Sequence, residues 1–291
     1  MAKEKPNGQA ETDRLNRRVA GSVSSEGYLG CVVAGSEPFD PLELSDRTRQ
    51  IVCEGDSRKY SYDFSEKQDE ACFRYQRFYR GISTGYVQGC NLRCVFCWAD
   101  SGRDCPAEHG RFYSPEEAVD SLIANKQWNS ERSCYLFSLS GGEPTLHMGH
   151  LTRVLRCLRE SVGSEGRFVL ETNGILLGAH PEHVDLLTEF RGLVEVRVSL
   201  KAGTADGFQR RTGAAGEFFT LPFKAIESLR RLRISHSVAA MTDSALMPWG
   251  ERQELDRLLR SLGRYDVEHE AFRVQNMNVA SRMRKAGYHT T

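Results

Sequence analysis

From Gly81 onward the chain alternates β-branched and aromatic runs with amphipathic helical segments, a pattern that restricts it to a mostly parallel sheet covered by helices. The strand-like runs are Ile82–Gln88, Tyr135–Leu139, Phe168–Glu171, Val194–Ser199, Ser235–Ala240 and Glu268–Val274. Between them, Ser114, Pro115 and Glu117 supply an N-cap, a proline at the first helical position and a capping-box glutamate ahead of Ala118, Val119, Leu122 and Ile123. Leu151, Val154, Leu155 and Leu158 recur at helical spacing, as do Leu255, Leu258, Leu259 and Leu262. Pro181 opens another helix, and Ala225, Ile226 and Leu229 mark one more. Six strands with about five helices in roughly 195 residues fall short of the roughly 250 residues of an eight-fold barrel, so a partial (β/α)6 barrel of the α/β class is expected.

Around that core, residues 1–25 read as a mobile polar tail, 26–80 as an irregular N-terminal extension, 81–275 as the core and 276–291 as a C-terminal tail. Lys plus Arg and Asp plus Glu both total 39, so the formal net charge is zero and no global basic field exists to hold nucleic acid or an anionic membrane. A local patch stays open: Arg74, Arg77 and Arg80 interleave with Phe73, Tyr75, Phe78 and Tyr79, which suits either an RNA-binding groove or a strand packed by one face. No apolar run approaches the roughly 20 residues of a membrane helix. The first residues carry charge without an apolar signal core, so the expected home is the reducing cytoplasm.

Nine cysteines in such a chain argue for metal ligation or thiol chemistry over a disulfide framework. Cys31, Cys53, Cys72, Cys105, Cys134 and Cys157 stand alone, whereas Cys90, Cys94 and Cys97 crowd into G-C-N-L-R-C-V-F-C-W. Three thiolates at these gaps can converge on one inorganic centre. A structural zinc usually takes a second pair of ligands, and Cys105 with His109 follows at a spacing that suits neither finger nor ribbon. Three cysteines on a cubane cluster leave one iron open. Further candidates follow the strands: Ser140-Gly141-Gly142-Glu143-Pro144, Glu171-Thr172-Asn173-Gly174, and Ser199-Leu200-Lys201. Loops at the carboxyl ends of parallel strands share one rim, where ligands bind.

The C-x3-C-x2-C spacing, with Phe96 before the third cysteine, resembles the radical S-adenosylmethionine (radical SAM) superfamily over about residues 82–275. The resemblance implies a [4Fe-4S] cluster on Cys90, Cys94 and Cys97, with S-adenosylmethionine (SAM) chelated at the open iron. It implies that Gly141, Gly142 and Glu143 meet the cofactor's amino group, that Lys201, Ser199 and Thr172 hold its carboxylate and ribose, that Asn173 belongs to the same cofactor site, and that Phe96 packs on adenine. One electron, from a flavodoxin- or ferredoxin-like donor, would then release a 5′-deoxyadenosyl radical that takes hydrogen from a substrate.

The segment E-V-R-V-S-L-K-A-G-T-A-D-G-F-Q-R-R-T-G is also similar to that of glycyl-radical activating enzymes, such as the pyruvate formate-lyase activase. Lys201 and Gly213 match, but Ser199 and Phe208 stand where that family has Asp and His. The Ser-x-Lys form resembles the deazaguanine-forming enzymes of the queuosine route as well. The substrate therefore stays open between a small molecule, a protein side chain and RNA, and a non-catalytic metal or iron–sulfur protein is the reading of a different class. Arg210, Arg211 and Arg273 are candidate clamps for a phosphate or carboxylate, and Cys105 is a candidate thiol hydrogen donor.

Overall fold

A computed structural model describes residues 37–61, 73–108, 110–263, 266–272 and 277–288. The expected tail at 1–25 lies outside these residues, as do Cys31, Cys72, His109 and Arg273. Six strands, β1 (Ile82–Val87), β2 (Cys134–Gly141), β3 (Gly166–Thr172), β4 (Val194–Leu200), β5 (His236–Met241) and β6 (Glu268–Glu270), pair in that order, every neighbour parallel. Among the described residues, β6 does not pair back to β1, so the sheet curls into a partial barrel that stays open.

Alternation along the strands sorts the two faces. In β4 the residues Val194, Val196, Val198 and Leu200 are buried in the main core with Phe137, Leu139, Phe168, Leu170, Val238 and Ala240 of the other strands. That core includes the apolar stripes of the covering helices. Helix α1 is Pro41–Val52, and α2 (Pro115–Ala124) has the expected capping box, Ser114 Oγ accepting from Glu117 N–H and Glu117 accepting from Ser114 N–H. Helix α3 (Met148–Val162) buries Leu151, Val154, Leu155 and Leu158; α4 (Pro181–Leu187) opens on its proline. The next helices are α5 (Ala205–Thr212), α6 (Leu221–Arg231), which buries Ala225, Ile226 and Leu229, and α7 (Trp249–Ser261), which buries Leu255 and Leu259. The opposite sheet face carries a small apolar floor of Ile82, Cys134, Leu136 and Val169. Above the floor it turns polar, beginning with a Thr84–Ser138 hydroxyl pair at 2.9 Å.

Two regions differ from the sequence reading. The stretch read as an irregular extension contains α1 and two short strands, Ser57–Tyr60 and Phe73–Gln76, that pair antiparallel with β1 and widen the sheet. The Phe73–Gln76 run is thus an edge strand with Phe73 in the core, and Arg80 beyond it pairs with Glu131. Residues 277–285, read as part of a tail, form helix α8 (Met277–Lys285), whose Val279 and Met283 pack on Val95 and Leu246.

One internal ion pair ties the site's edge to this frame. Arg211 is fully buried against Glu251 and donates to the Lys201 and Leu246 carbonyls at 2.7 Å each, while Glu251 accepts from Gly203 N–H at 2.8 Å. Arg211 is therefore a structural residue and not the substrate clamp its sequence context suggests, and Arg210 is a surface partner of Asp206. Removing one partner strands a buried charge. Glu251→Ala is expected to lower unfolding free energy by about 3–5 kcal/mol in denaturant titration; a loss under about 1 kcal/mol, the scale of an exposed pair, would contradict this burial argument.

Candidate active site

At the carboxyl ends of the six strands lies a cavity of about 680 Å³. Its lining contains every residue singled out for cluster and cofactor: Cys90, Cys94, Phe96, Cys97, Gly141, Gly142, Glu143, Thr172, Asn173, Ser199 and Lys201. Cys105 is not among the lining residues. The three thiols come from the loop after β1, which lacks regular structure and so must satisfy its backbone by other means. Three guanidiniums do this, one per cysteine carbonyl: Arg93 on Cys90 at 2.7 Å, Arg103 on Cys94 at 2.7 Å, and Arg282 of α8 on Cys97. Arg93 and Arg103 share the carboxylate of Asp104. The loop amides of Arg93 and Val95 donate to the carbonyls of Thr212 and Arg211 at 2.9 Å.

The glycine pair serves this loop directly. Gly141 has φ +88°, and a Cβ on Gly142 would stand 2.2 Å from the Gly89 carbonyl oxygen. That space admits the backbone bonds Gly142 N–H to Val87 (2.9 Å) and Glu143 N–H to Gly89 (2.8 Å), which strap the end of β2 to the cysteine loop. The Glu143 side chain points back into the protein. One carboxylate oxygen accepts from Thr145 N–H (3.1 Å), Thr145 Oγ1 (2.6 Å) and Thr172 Oγ1 (2.7 Å), and the other from Asn173 N–H (2.8 Å). Glu143 and Thr172 thus organise the rim with their side chains. The Asn173 amide is likewise engaged: Oδ1 accepts from Ile175 N–H at 3.0 Å, and Nδ2 donates to Asn91 Oδ1 at 2.7 Å and faces Cys90 Sγ at 3.8 Å.

Three soft sulfur donors gathered in one cavity, none of them in a disulfide, fit a thiolate-ligated centre. Among the described residues, no three His, Cys, Asp or Glu side chains converge as they would on a single metal ion. A cluster whose thiolates stand on separate irons takes a wider spread. Burial, with the Glu143 carboxylate nearby, pushes the Cys90 thiol up to about 12. Cys94 is raised by burial and partly eased by Lys201. Both shifts favour the protonated thiol, so a positive centre that binds Cys90 and Cys94 displaces protons from them.

The rest of the lining adds Arg197, Glu268, Glu270, Trp98, Met241 and Phe272, none of them a site candidate in the sequence, to Ser140 and Glu171 of the candidate segments. Arg197, nearly inaccessible, pairs with Glu268 (2.8 Å) and Glu270 (2.7 Å) and donates to Ser199 Oγ at 3.3 Å. Glu171 accepts from Ser140 Oγ (2.7 Å) and Tyr79 Oη (3.3 Å). Trp98, half-exposed, lies edge-on to Tyr86 at the same cavity, and Met241 and Phe272 complete the lining. Phe208, in place of the activase histidine, is buried beneath the loop with Leu92 and Cys94.

Residues 86–261, more than half of the chain, match the model of the radical SAM superfamily. The chain belongs to this superfamily. As a radical SAM enzyme it uses a [4Fe-4S] cluster and SAM, and it requires a reductant and a substrate. GTP 3′,8-cyclase of Pelotomaculum thermopropionicum is 31% identical over 139 residues, 47% of this chain and 39% of that protein, so the chain spans about two fifths of that curated relative. Among solved structures, TYW1 with a lysine–pyruvate adduct bound is similar at a TM-score of 0.50 and 14% identity, over 84% of this chain and 86% of that one. Native anSMEcpe with bound AdoMet and Kp18Cys peptide is similar at a TM-score of 0.50 and 16% identity, over 66% of this chain and 51% of that one. Such identities establish a shared fold. No described helix is long and apolar enough to cross a membrane.

Charge on the inner wall has a pH signature. Burial raises the Glu270 carboxyl, but Lys201 and then Arg197 lower it further, so it lies below the usual carboxylate range. A depressed folded-state value contributes stability above the unfolded value, about 4.3 for Glu, and loses it as pH falls through the folded value. The stability advantage of the wild type over Glu270→Gln is therefore expected to shrink below about pH 4 in pH-dependent denaturation. A difference independent of pH through that window would contradict the ion-pair assignment.

Proposed function

We propose that Cys90, Cys94 and Cys97 hold the [4Fe-4S] cluster and that the surrounding strand ends hold SAM against its open iron. The observation that carries this reading is the convergence of the three thiols, the glycine turn and Lys201 on one cavity at the carboxyl rim. When bound, cluster and cofactor supply one-electron cleavage of the sulfonium to methionine and a 5′-deoxyadenosyl radical that abstracts a substrate hydrogen. Lys201 presents its ammonium to the cofactor carboxylate, and the carbonyls of Gly141 and Gly142 accept from its amino group. Phe96 packs on adenine, and Ser199, steered by Arg197, offers its hydroxyl to the ribose. Glu143, Thr172 and Asn173 act one step back by fixing the turns that carry these contacts.

The substrate enters the remaining volume against Glu171, Arg197, Glu268 and Glu270, as a small molecule or a single protein side chain. The sheet and its helices exclude water behind it. Ser199 on the rim, and Phe208 buried beneath the cysteine loop, distinguish this chain from the activases. The reductant is a flavodoxin- or ferredoxin-like donor. Free Cys53, Cys134 and Cys157 suit a reducing cytoplasm.

Anaerobic reconstitution with iron and sulfide is expected to give a broad absorption near about 400 nm and, after reduction with SAM, 5′-deoxyadenosine. Replacing any of Cys90, Cys94 or Cys97 by Ala removes both signals. Wild-type protein that takes up zinc instead, or yields no deoxyadenosine, overturns the reading. Lys201→Met removes a charge-assisted contact of about 1.5–3 kcal/mol, so SAM binding to the loaded enzyme weakens about 10- to 100-fold. Unchanged affinity would remove Lys201 from the cofactor site.

A further inference from the structure

We infer that Asn173 is a positioning residue that sets the reduction potential of the cluster through a hydrogen bond from its side-chain amide to the sulfur of Cys90. The inference rests on the proposal that Cys90 is a cluster ligand. Its geometric basis is the fixed orientation of the amide. Backbone N–H of Asn173 is held by Glu143 at 2.8 Å, and Oδ1 is held by Ile175 N–H at 3.0 Å, a donor that only an acceptor can meet. The oxygen end is thereby assigned, and Nδ2 must face the loop. One of its hydrogens goes to Asn91 Oδ1 at 2.7 Å, and the other is left for Cys90 Sγ at 3.8 Å. The Leu92 N–H approaches the same sulfur at 3.5 Å.

An N–H directed at a ligating thiolate stabilises the more negative, reduced state of an iron–sulfur cluster and raises its potential. Reduction adds one electron to the cluster from a one-electron donor. No bond forms or breaks and no proton moves; Asn173 changes only the free energy of that step. The side chain has no donor left for SAM, so its effect reaches the reaction through Cys90. This differs from the contact with SAM that its place beside Thr172 suggests.

Redox titration of the reconstituted holoenzyme, followed by the EPR signal of the reduced cluster, tests the inference. Asn173→Leu deletes the donor. Asn173→Asp keeps the acceptor for Ile175 N–H but places negative charge beside the sulfur, and Asn91, whose Nδ2 is buried without a partner, can turn that amide toward it. Both variants are expected to have a lower midpoint potential than wild type, Asp the lowest; unshifted or raised midpoints overturn the inference. A second arm needs no variant. Wild-type enzyme prepared with asparagine labelled with ¹⁵N in the side-chain amide is expected to show ¹⁵N coupling to the reduced cluster in pulsed EPR, and its absence overturns the inference as well. A loaded wild type with unshifted variants contradicts this inference alone, whereas a wild type that takes up no cluster overturns the proposed function together with it.

Discussion

The site depends on the buried carboxylate of Glu143. It sits almost without solvent contact and accepts from Thr145, Thr172 and Asn173, so donors from the ends of two different strands are gathered on one group. A charge in that position is tolerable only when its lone pairs are met. Its own backbone N–H bonds Gly89, and the buried guanidinium of Arg58 donates to the Gln88 carbonyl at 2.5 Å and the Glu143 carbonyl at 3.4 Å. The cysteine loop, the glycine turn and the Thr172–Asn173 turn are therefore joined in one hydrogen-bonded body.

The arginines complete this body from outside the shared core. Arg58 comes from a strand that precedes the family match, and Arg282 from a helix that follows it. Each delivers a fork of donors to backbone carbonyls, Arg58 to Gln88 and Glu143 and Arg282 to Val95 and Cys97. The short N-terminal strands and α8 are thus parts of the site's support.

Much of this was legible in the sequence. The six parallel strands showed because their helix-facing residues, such as Val194, Val196 and Val198, alternate with polar ones, and the cavity's cysteines, glycines and Lys201 showed because their spacing is local. Arg197 also had a local signal: Arg197 and Ser199 share one face of β4, and Lys201 follows two residues on, just past its end, yet only the last two stood out against known motifs. Other features had no local signature. Arg58 and Lys59 belong to no motif, yet both are buried, with partners in carbonyls far along the chain, Gln88 for one and Pro106 and Ala107 for the other. Arg211 likewise gains its meaning from Glu251, which a sequence pattern does not join to it.

The measurement that bears most directly on the central claim is Mössbauer spectroscopy of the ⁵⁷Fe-reconstituted protein with and without SAM. A three-cysteine cradle with one open iron predicts that about a quarter of the cluster's iron changes its coordination signature when SAM is added. A spectrum in which all iron is equivalent and indifferent to SAM would contradict it.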